Sequence, residues 1–131
     1  MRALLDTNVF LWFISGNEKL SSATKKIIAD TNNELFLSIA SLWEIAIKTS
    51  IGKLELLQPF DQLVSNHITD NEINIMQIEP KHLSLLIKLP FHHRDPFDRL
   101  IIAQGISENL PILSSDASFK QYQIEVIGNS L

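Results

Sequence analysis

Short apolar runs alternate with longer helical patterns along this chain, and that order indicates its fold class. The apolar runs predict five strands, which lie at 3–5, 34–37, 73–78, 112–113 and 125–127. Ser, Asp or Pro introduces most of the helical patterns, which begin at Asp6 or Thr7 and recur at 21–30, 38–49, 59–69, 80–89 and 96–108. Strands that alternate with helices favour an α/β fold around a mostly parallel sheet.

Length, cysteine content and charge exclude several classes of protein. The 131 residues suit a single domain that spans 1–131, since domains usually contain about 100–150 residues. The absence of cysteine excludes a disulfide, a thiolate nucleophile and a cysteine-ligated zinc ion, and it fits a cytoplasmic protein. No apolar run reaches the roughly 18 residues of a membrane span, so no membrane contact is expected. The net charge of −4 argues against a broad basic coat for nucleic acid.

Four acidic residues lie where predicted strands end or inside the helices that follow them. Asp6 ends the first predicted strand, and Asp116 follows the fourth. Glu44 lies in the third predicted helix, and Asp98 lies in the first turn of the last one. Taken singly, each has a structural explanation, because Asp is common in caps and turns and Glu44 can pair with Lys48 on the next helical turn.

Taken together, the four acids predict a metal site. The carboxyl ends of parallel strands meet at one edge of a sheet, which is where such folds bind their ligands. Two carboxylates about 4 Å apart repel each other by about 4 kcal/mol at an effective dielectric constant of 20, so a cluster of four requires cations. Oxygen ligands without cysteine favour Mg²⁺ or Mn²⁺.

The residues around Asp98 add weight to this interpretation. Asp95 suits an N-cap in front of Pro96, and Asp98 shares its helical side with apolar residues such as Ile101 and Ile102. A carboxylate on an inward side requires a partner or a metal ion. Asp95 itself is either this cap or an acid that supports the metal ligands.

Glu44 is predicted to lie at the border of an apolar arc on its helix. That arc consists of Ile39, Leu42, Trp43, Ala46 and Ile47. Judged by itself, Glu44 is therefore expected to form an exposed ion pair with Lys48.

Four segments of the sequence carry a resemblance to a known family. They are LLDTNVFLW at the start, SIASLWEIAIKTSIGKL in the middle, HHRDPFDRLIIAQ later and ILSSDASF near the end. With this order and spacing, the chain resembles PIN-domain ribonucleases of the VapC type, the toxins of prokaryotic type II toxin–antitoxin pairs. The resemblance implies a PIN-like three-layer α/β fold, in which helices flank a central, mostly parallel sheet of about five strands.

The same resemblance implies site residues, an activity and partners. The catalytic, metal-binding acids of the family fall on Asp6, Glu44, Asp98 and Asp116. Small polar residues in supporting positions fall on Thr7, Asn8, Ser38 and Ser114. The implied activity is that of an Mg²⁺- or Mn²⁺-dependent endoribonuclease, which hydrolyses RNA phosphodiester bonds and leaves a 5′-phosphate and a 3′-hydroxyl. The implied partners are an RNA substrate, a cognate antitoxin protein and a second copy in a homodimer, in the prokaryotic cytoplasm.

Basic residues near these acids are candidates for contact with RNA phosphates. They are His92, His93, Arg94, Lys48 and Arg99. The run at 92–94 can equally be a solvated loop. Trp12 and Trp43 lie in apolar helical stretches and are expected to pack in the core or against a partner rather than stack on bases.

Three other classes share part of this pattern. A receiver-type phosphoacceptor signalling domain has a similar length, but it has adjacent acids after the first strand, where Asp6 stands alone. A haloacid-dehalogenase-like phosphatase requires a second Asp where this chain has Asn8. A non-catalytic PIN-like scaffold is the third, and the presence of all four acids argues against it.

Overall fold

A five-stranded parallel sheet forms the centre of the computed structural model, which describes residues 1–128. The strands are β1 (Arg2–Leu5), β2 (Glu34–Ser38), β3 (Asn74–Met76), β4 (Ile112–Ser114) and β5 (Val126–Gly128). Their order across the sheet is β3-β2-β1-β4-β5, and each neighbouring pair runs parallel. The sequence prediction of an α/β fold around a parallel sheet of about five strands is therefore confirmed.

Helices connect the strands and cover both faces of the sheet. The α-helices are α1 (Thr7–Ser15), α2 (Ser22–Ala29), α3 (Ile39–Ser50), α4 (Phe60–Leu63), α5 (Pro80–Lys88) and α6 (Pro96–Glu108). Several begin where the sequence indicates a cap: the side chains of Ser21, Ser38 and Asp95 accept hydrogen bonds from backbone N–H groups of α2, α3 and α6. These local hydrogen bonds satisfy backbone N–H groups in the first turn of each helix.

The alternation of side chains along the central strand divides the core between the two faces. Ala3 and Leu5 of β1 pack into one apolar cluster, together with Val9 and Phe10 of α1. Leu4 points to the other cluster, which contains buried residues of α6. A parallel sheet buried on both faces has strands that are apolar throughout, which explains why the sequence pattern in β1 is a continuous run.

Two segments differ from the sequence predictions. The helix expected at 59–69 is a single turn of α-helix that continues as a π-helix at Val64–Thr69. A 3₁₀ helix at Ala117–Gln121, which was not predicted, follows β4. Within residues 1–128, no helix is long and apolar enough to cross a membrane.

Because the strands are parallel, their carboxyl ends lie on one edge of the sheet, and polar residues stand there. Asp6 directly follows β1, while Ser38 and Ser114 are the last residues of β2 and β4. All three are buried. This edge is the place where the topology gathers the predicted site residues.

Candidate metal site at the carboxyl edge of the sheet

The structure brings Asp6, Glu44, Asp98 and Asp116 together at this edge, and we refer to them as the four-acid cluster. Asp6 follows β1 and Asp116 follows β4, whereas Glu44 and Asp98 project from α3 and from the first turn of α6. Their charges act on one another: Asp116 and Glu44 both raise the pKa of Asp6, and Asp6 and Glu44 both raise that of Asp98. The site therefore combines two acids that follow strands with two acids that project from helices.

Asp6 is the most deeply placed of the four, with 4% of its surface exposed. Burial raises its pKa to about 6, because the charged carboxylate loses its hydration. The Ser114 hydroxyl donates a 2.8 Å hydrogen bond to Asp6 Oδ2 and acts in the opposite direction. One carboxylate with a single side-chain donor is left incompletely compensated.

Glu44 is also buried, with 5% exposed, and this overturns its predicted place on α3. The buried face of α3 includes Leu42, Glu44 and Ile45, whereas Trp43 is 57% exposed and packs edge-on against Phe97. The predicted apolar arc on α3 was wrong because it assigned Trp43 to the buried face from its hydrophobicity alone. In the structure, Glu44 lies on the buried face, toward the edge of the sheet.

The ion pair between Glu44 and Lys48 does form, but it is not the exposed pair that the spacing suggested. Lys48 Nζ lies 2.7 Å from Glu44 Oε2, and the carboxylate end of the pair is buried. The hydrogen bond to Glu44 raises the pKa of Lys48. The second oxygen, Glu44 Oε1, is buried and has no hydrogen-bond partner within residues 1–128.

Asp98 has the most strongly raised pKa of the cluster, at about 7. Burial is the largest cause, and the charges of Asp6 and Asp95 add to it. Asp95 is the N-cap of α6, as the sequence indicates: its Oδ1 accepts hydrogen bonds from the backbone N–H groups of Phe97 and Asp98. The cap therefore anchors the turn that carries Asp98 and places a further negative charge beside it.

His93 lies between two of the acids. Its Nε2 is 3.1 Å from Asp98 Oδ2 and 2.9 Å from Asp116 Oδ2. The sequence made His93 a candidate for phosphate contact, and the structure instead directs its ring at the carboxylates. Sequence reasoning gave no signal for this bridge, because it joins residues from two separate segments.

Asp116 is held by a local turn as well as by His93. Burial raises its pKa, but hydrogen bonds from Ser118 and His93 outweigh that and leave the pKa below its usual value. Ser118 donates to Asp116 Oδ1 through both its hydroxyl, at 2.7 Å, and its backbone N–H, at 2.9 Å. Sequence reasoning missed Ser118, although a Ser two residues after an Asp is a typical Asx-turn pattern.

The four supporting residues take different places. Ser114 Oγ donates to Asp6 and accepts from the backbone N–H of Asp116, so it links two of the acids directly. Thr7 is buried and donates a 2.8 Å hydrogen bond to Ser41, which joins α1 to α3. Ser38 caps α3 through the backbone N–H of Ala40, whereas Asn8 is exposed.

One of the basic candidates does not fit contact with RNA. Arg99 is buried, and its guanidinium donates to the backbone carbonyls of Pro90, Leu86 and Leu89 while it stacks on Phe91. The prediction for Arg99 fails because sequence position could not show that the loop before α6 folds over it.

The remaining basic residues lie near the surface. His92 and Arg94 are exposed, and His92 packs edge-on against Tyr122. Lys48 keeps about half of its side chain in solvent while it pairs with Glu44. These three remain candidates for contact with a substrate at the border of the four-acid cluster.

The residues present fit a hard divalent cation. The unpartnered oxygen of Glu44 is a ligand atom that the protein itself leaves unsatisfied in a buried place. Burial first and neighbouring acids second raise the pKa values of Asp6 and Asp98, so the ionised carboxylates are incompletely compensated within the fold. Oxygen atoms of Asp98 and Asp116 lie within 4.8 Å of each other, which is close enough to share one ion. An oxygen-rich set of this kind suits Mg²⁺ or Mn²⁺.

A cavity lies beside α1. It has a volume of about 590 Å³, and its lining includes Asn8, which is two residues from Asp6 in the sequence. Apolar side chains make up much of its wall, among them Leu11, Trp12 and Leu54. The cavity therefore offers a partly apolar surface on the helix that follows Asp6.

Comparison with known proteins identifies the family. The family model described as "PIN domain" matches residues 3–125, and the chain belongs to this family. Among curated proteins, none matches the chain.

Solved structures share the fold at low sequence identity. VapBC2 from Rickettsia felis, bound to a DNA fragment from its promoter, is 18% identical over 98% of both chains, with a TM-score of 0.73. DNA-bound VapBC from Salmonella typhimurium is 14% identical over 98% of both chains, with a TM-score of 0.70. VapBC-1 from nontypeable Haemophilus influenzae is 18% identical over the full length of both, with a TM-score of 0.68. At such identities these likenesses establish the fold and no more.

Proposed function

We propose that this PIN-domain protein is a divalent-metal-dependent endoribonuclease and the toxin of a toxin–antitoxin pair. The observation that carries the proposal is the four-acid cluster, whose negative charge is incompletely balanced and which includes the unpartnered oxygen of Glu44. A structural cluster of acids would be neutralised within the fold, because an unpaired buried charge is costly. The cost is understandable if the cluster serves to bind a cation.

The four acids have distinct parts in this proposal. Asp6, Glu44, Asp98 and Asp116 would hold Mg²⁺ or Mn²⁺, either directly or through water. A divalent cation at such a site stabilises negative charge on a phosphate and lowers the pKa of a water molecule. Ser114 fixes the relative position of Asp6 and Asp116 through its two hydrogen bonds. Lys48, beside Glu44, places a positive charge where a phosphate of the RNA can approach.

Hydrolysis at this site would follow the usual course for a phosphodiester. Water adds to phosphorus in line with the bond to the leaving 3′ oxygen, which departs as a hydroxyl and leaves a 5′-phosphate on the other fragment. The pKa values of Asp6 and Asp98 are raised, so these two carboxyls bind protons near neutral pH when no metal is present, and a cation has to displace them. Activity is therefore expected to increase with pH through about 7 at limiting metal concentration.

Two observations support an antitoxin partner. Among the structures of similar fold, VapBC-5 from Mycobacterium tuberculosis is described as a member of the VapBC family of toxin–antitoxin systems, and a structure from Klebsiella pneumoniae as a toxin–antitoxin complex. The lining of the cavity beside α1 includes Leu11, Trp12 and Leu54 as well as Asn8, two residues after Asp6, so an apolar segment of a partner could lie in it. A basic side chain from that segment would then compete with the cation.

The homodimer and the cytoplasmic location remain predictions. Exposed apolar side chains that a second copy could cover are present, among them Trp43 at 57% and Phe91 at 81% exposure. Light scattering of the purified protein at several concentrations tests the dimer.

The experiment that tests the proposed activity is an assay on total RNA. Purified protein with Mg²⁺ is expected to give fragments with 5′-phosphate ends, while the Asp6→Asn variant and protein treated with EDTA give none. The matched control is Asp61→Asn, since Asp61 is an exposed acid in the first turn of α4 and lies outside the cluster. Equal cleavage by wild type and Asp6→Asn would contradict a catalytic four-acid cluster. A folded protein that binds metal but cuts no RNA would favour the non-catalytic PIN scaffold.

A further inference from the structure

His93 is the one basic side chain whose ring nitrogen reaches two members of the four-acid cluster within residues 1–128. Its Nε2 lies 2.9 Å from Asp116 Oδ2 and 3.1 Å from Asp98 Oδ2. The ring is mostly enclosed, because it packs edge-on against Phe119. The contact of His93 with the two carboxylates therefore lies within the site and not at the protein surface.

The other ring nitrogen shows which atom carries the proton. His93 Nδ1 lies 3.1 Å from the backbone N–H of Asp95, which can only donate. Nδ1 must therefore be the unprotonated acceptor, and the single proton of the neutral ring is on Nε2. Nε2 then donates its hydrogen bond to Asp116 Oδ2 while it lies 3.1 Å from Asp98 Oδ2, and it has no lone pair with which to bind a metal ion.

The backbone of His93 is fixed as well. Its N–H donates to the hydroxyl of Tyr122, which in turn donates to the carbonyl of Pro90. The hydrogen bond to Tyr122 thus holds the main chain of His93, and the hydrogen bond from the Asp95 N–H to Nδ1 fixes the tautomer of the ring. Rotation of the ring away from the acids would require a change in its side-chain torsions and the loss of its contacts with Asp95, Asp116 and Phe119.

We propose that His93 occupies the position of the cation in the metal-free site, and that its Nε2–H must leave Asp98 and Asp116 before one ion can bind both. His93 is thus a positioning residue that competes with the metal rather than a metal ligand. It keeps two carboxylates close together when no ion is present, at the expense of metal affinity. This inference rests on the proposed metal site.

Two substitutions at His93 separate its two hydrogen-bonding nitrogens. In His93→Asn, the side-chain oxygen can replace Nδ1 as the acceptor for Asp95, but the side chain is too short to reach the carboxylates. In His93→Gln, the amide nitrogen can replace Nε2 as a donor to them. The matched control is His67→Asn, because His67 lies in the π-helix at Val64–Thr69, outside the cluster.

The measurement is a calorimetric titration of each folded variant with Mn²⁺, with folding checked by circular dichroism. His93→Asn is expected to bind Mn²⁺ about fivefold more tightly than wild type, because a hydrogen bond to a charged group no longer has to be broken. His93→Gln and His67→Asn are expected to stay within about twofold of wild type. Weaker binding by His93→Asn would identify His93 as a ligand and overturn the inference, as would unchanged binding.

A spectroscopic readout tests the tautomer directly. Long-range ¹H–¹⁵N spectra of the metal-free protein are expected to show His93 with its proton on Nε2, and the Nε2 resonance is expected to shift when Mg²⁺ is added. A proton on Nδ1 in the metal-free protein would overturn the inference. Failure of wild type to bind Mn²⁺ at all would contradict the proposed function as well, whereas normal wild-type binding with no effect of His93→Asn contradicts this inference alone.

Discussion

His82 and His93 are held in the same way, yet they serve clusters with opposite charge balance. The Nδ1 of His82 accepts the backbone N–H of Glu79, just as that of His93 accepts the N–H of Asp95. The Nε2 of His82 lies 2.9 Å from Glu108 and 3.9 Å from Glu79, whereas that of His93 lies within about 3 Å of two acids. One histidine motif therefore appears at two sites in the fold.

The difference lies in what surrounds each carboxylate. We refer to Glu79, Lys81, His82 and Glu108 as the α5–α6 clamp, since they join those two helices. In the clamp, Lys81 lies 2.8 Å from Glu108, and the hydrogen bonds from Lys81 and His82 lower the pKa of that acid. In the four-acid cluster, burial and like charges raise the pKa of Asp6 and Asp98.

Both clusters have three side chains that could share an ion, so proximity alone does not distinguish a metal site. Charge balance does. The α5–α6 clamp compensates its acid with basic groups of its own, as expected of a structural contact. The four-acid cluster leaves negative charge and a buried oxygen unpaired, as expected of a site that awaits a cation.

The largest expected effect comes from breaking the clamp. His82 is fully buried and bonded at both ring nitrogens, so His82→Ala should lower the free energy of unfolding by about 3 kcal/mol. Urea denaturation measures this, with the exposed His92→Ala as the control. The Mn²⁺ affinity of His82→Ala should equal that of wild type. Loss of Mn²⁺ binding in this variant would indicate that the ion binds in the clamp and not in the four-acid cluster.

The opposite effect on stability is expected in the four-acid cluster. Asp98→Asn removes a charge that the metal-free fold disfavours, so the free energy of unfolding should rise by about 2 kcal/mol. Chemical denaturation without metal measures the change, and Glu108→Gln in the clamp should have the reverse sign because the pKa of Glu108 is lowered by its partners. Destabilisation by Asp98→Asn would mean that the charged form of Asp98 is favoured in the metal-free protein.

The pH dependence of stability sharpens the same contrast. A carboxyl with a raised pKa binds its proton more tightly when folded, so it lowers stability above that pKa, and the penalty disappears as the pH falls toward the unfolded value of 3.8. With a pKa of about 7 for Asp98, metal-free stability should fall by about 1 kcal/mol between pH 6 and 7. Denaturation at both pH values checks this.

The Asp98→Asn variant serves as the reference for that pH experiment, because it lacks the Asp98 carboxyl. Glu108 has the opposite linkage, since its lowered pKa gives stability that is present above the unfolded value of 4.5 and is lost as the pH falls. Equal slopes for wild type and Asp98→Asn between pH 6 and 7 would show that Asp98 does not titrate there.

The smallest effect is expected at the border of the cluster. Lys48 is half-exposed and pairs with Glu44, so Lys48→Gln should lower the free energy of unfolding by only about 0.5 kcal/mol. Mn²⁺ affinity should rise slightly, because a competing positive charge has been removed. Calorimetry measures that rise, and weaker Mn²⁺ binding would show that Lys48 holds Glu44 in its ligating position.

Much of the fold could be predicted because its signals are local. The caps at Ser21 and Asp95 and the apolar run of β1 depend only on residues nearby in the sequence. The gathering of acids at one edge followed from the parallel topology alone. The π-helix at Val64–Thr69 carried no signal, because the periodicity of its side chains is close to that of an α-helix.

What the sequence could not give depended on contacts between distant segments. Glu44 is buried because the strand ends and α6 enclose it, not because of any pattern on α3. Arg99 became a structural residue because the loop before α6 presents carbonyl groups to it. The place of His93 between Asp98 and Asp116 likewise required the fold, since its two partners lie on separate elements.

The central claim is that the four-acid cluster, and not the clamp, binds the divalent cation. Calorimetric titration with Mn²⁺ of wild type, Asp6→Asn and Asp98→Asn tests it most directly, with Glu79→Gln as the control from the clamp. Each cluster variant is expected to bind Mn²⁺ at least about tenfold more weakly, and the control is expected to match wild type. Unchanged affinity in both cluster variants would contradict the assignment.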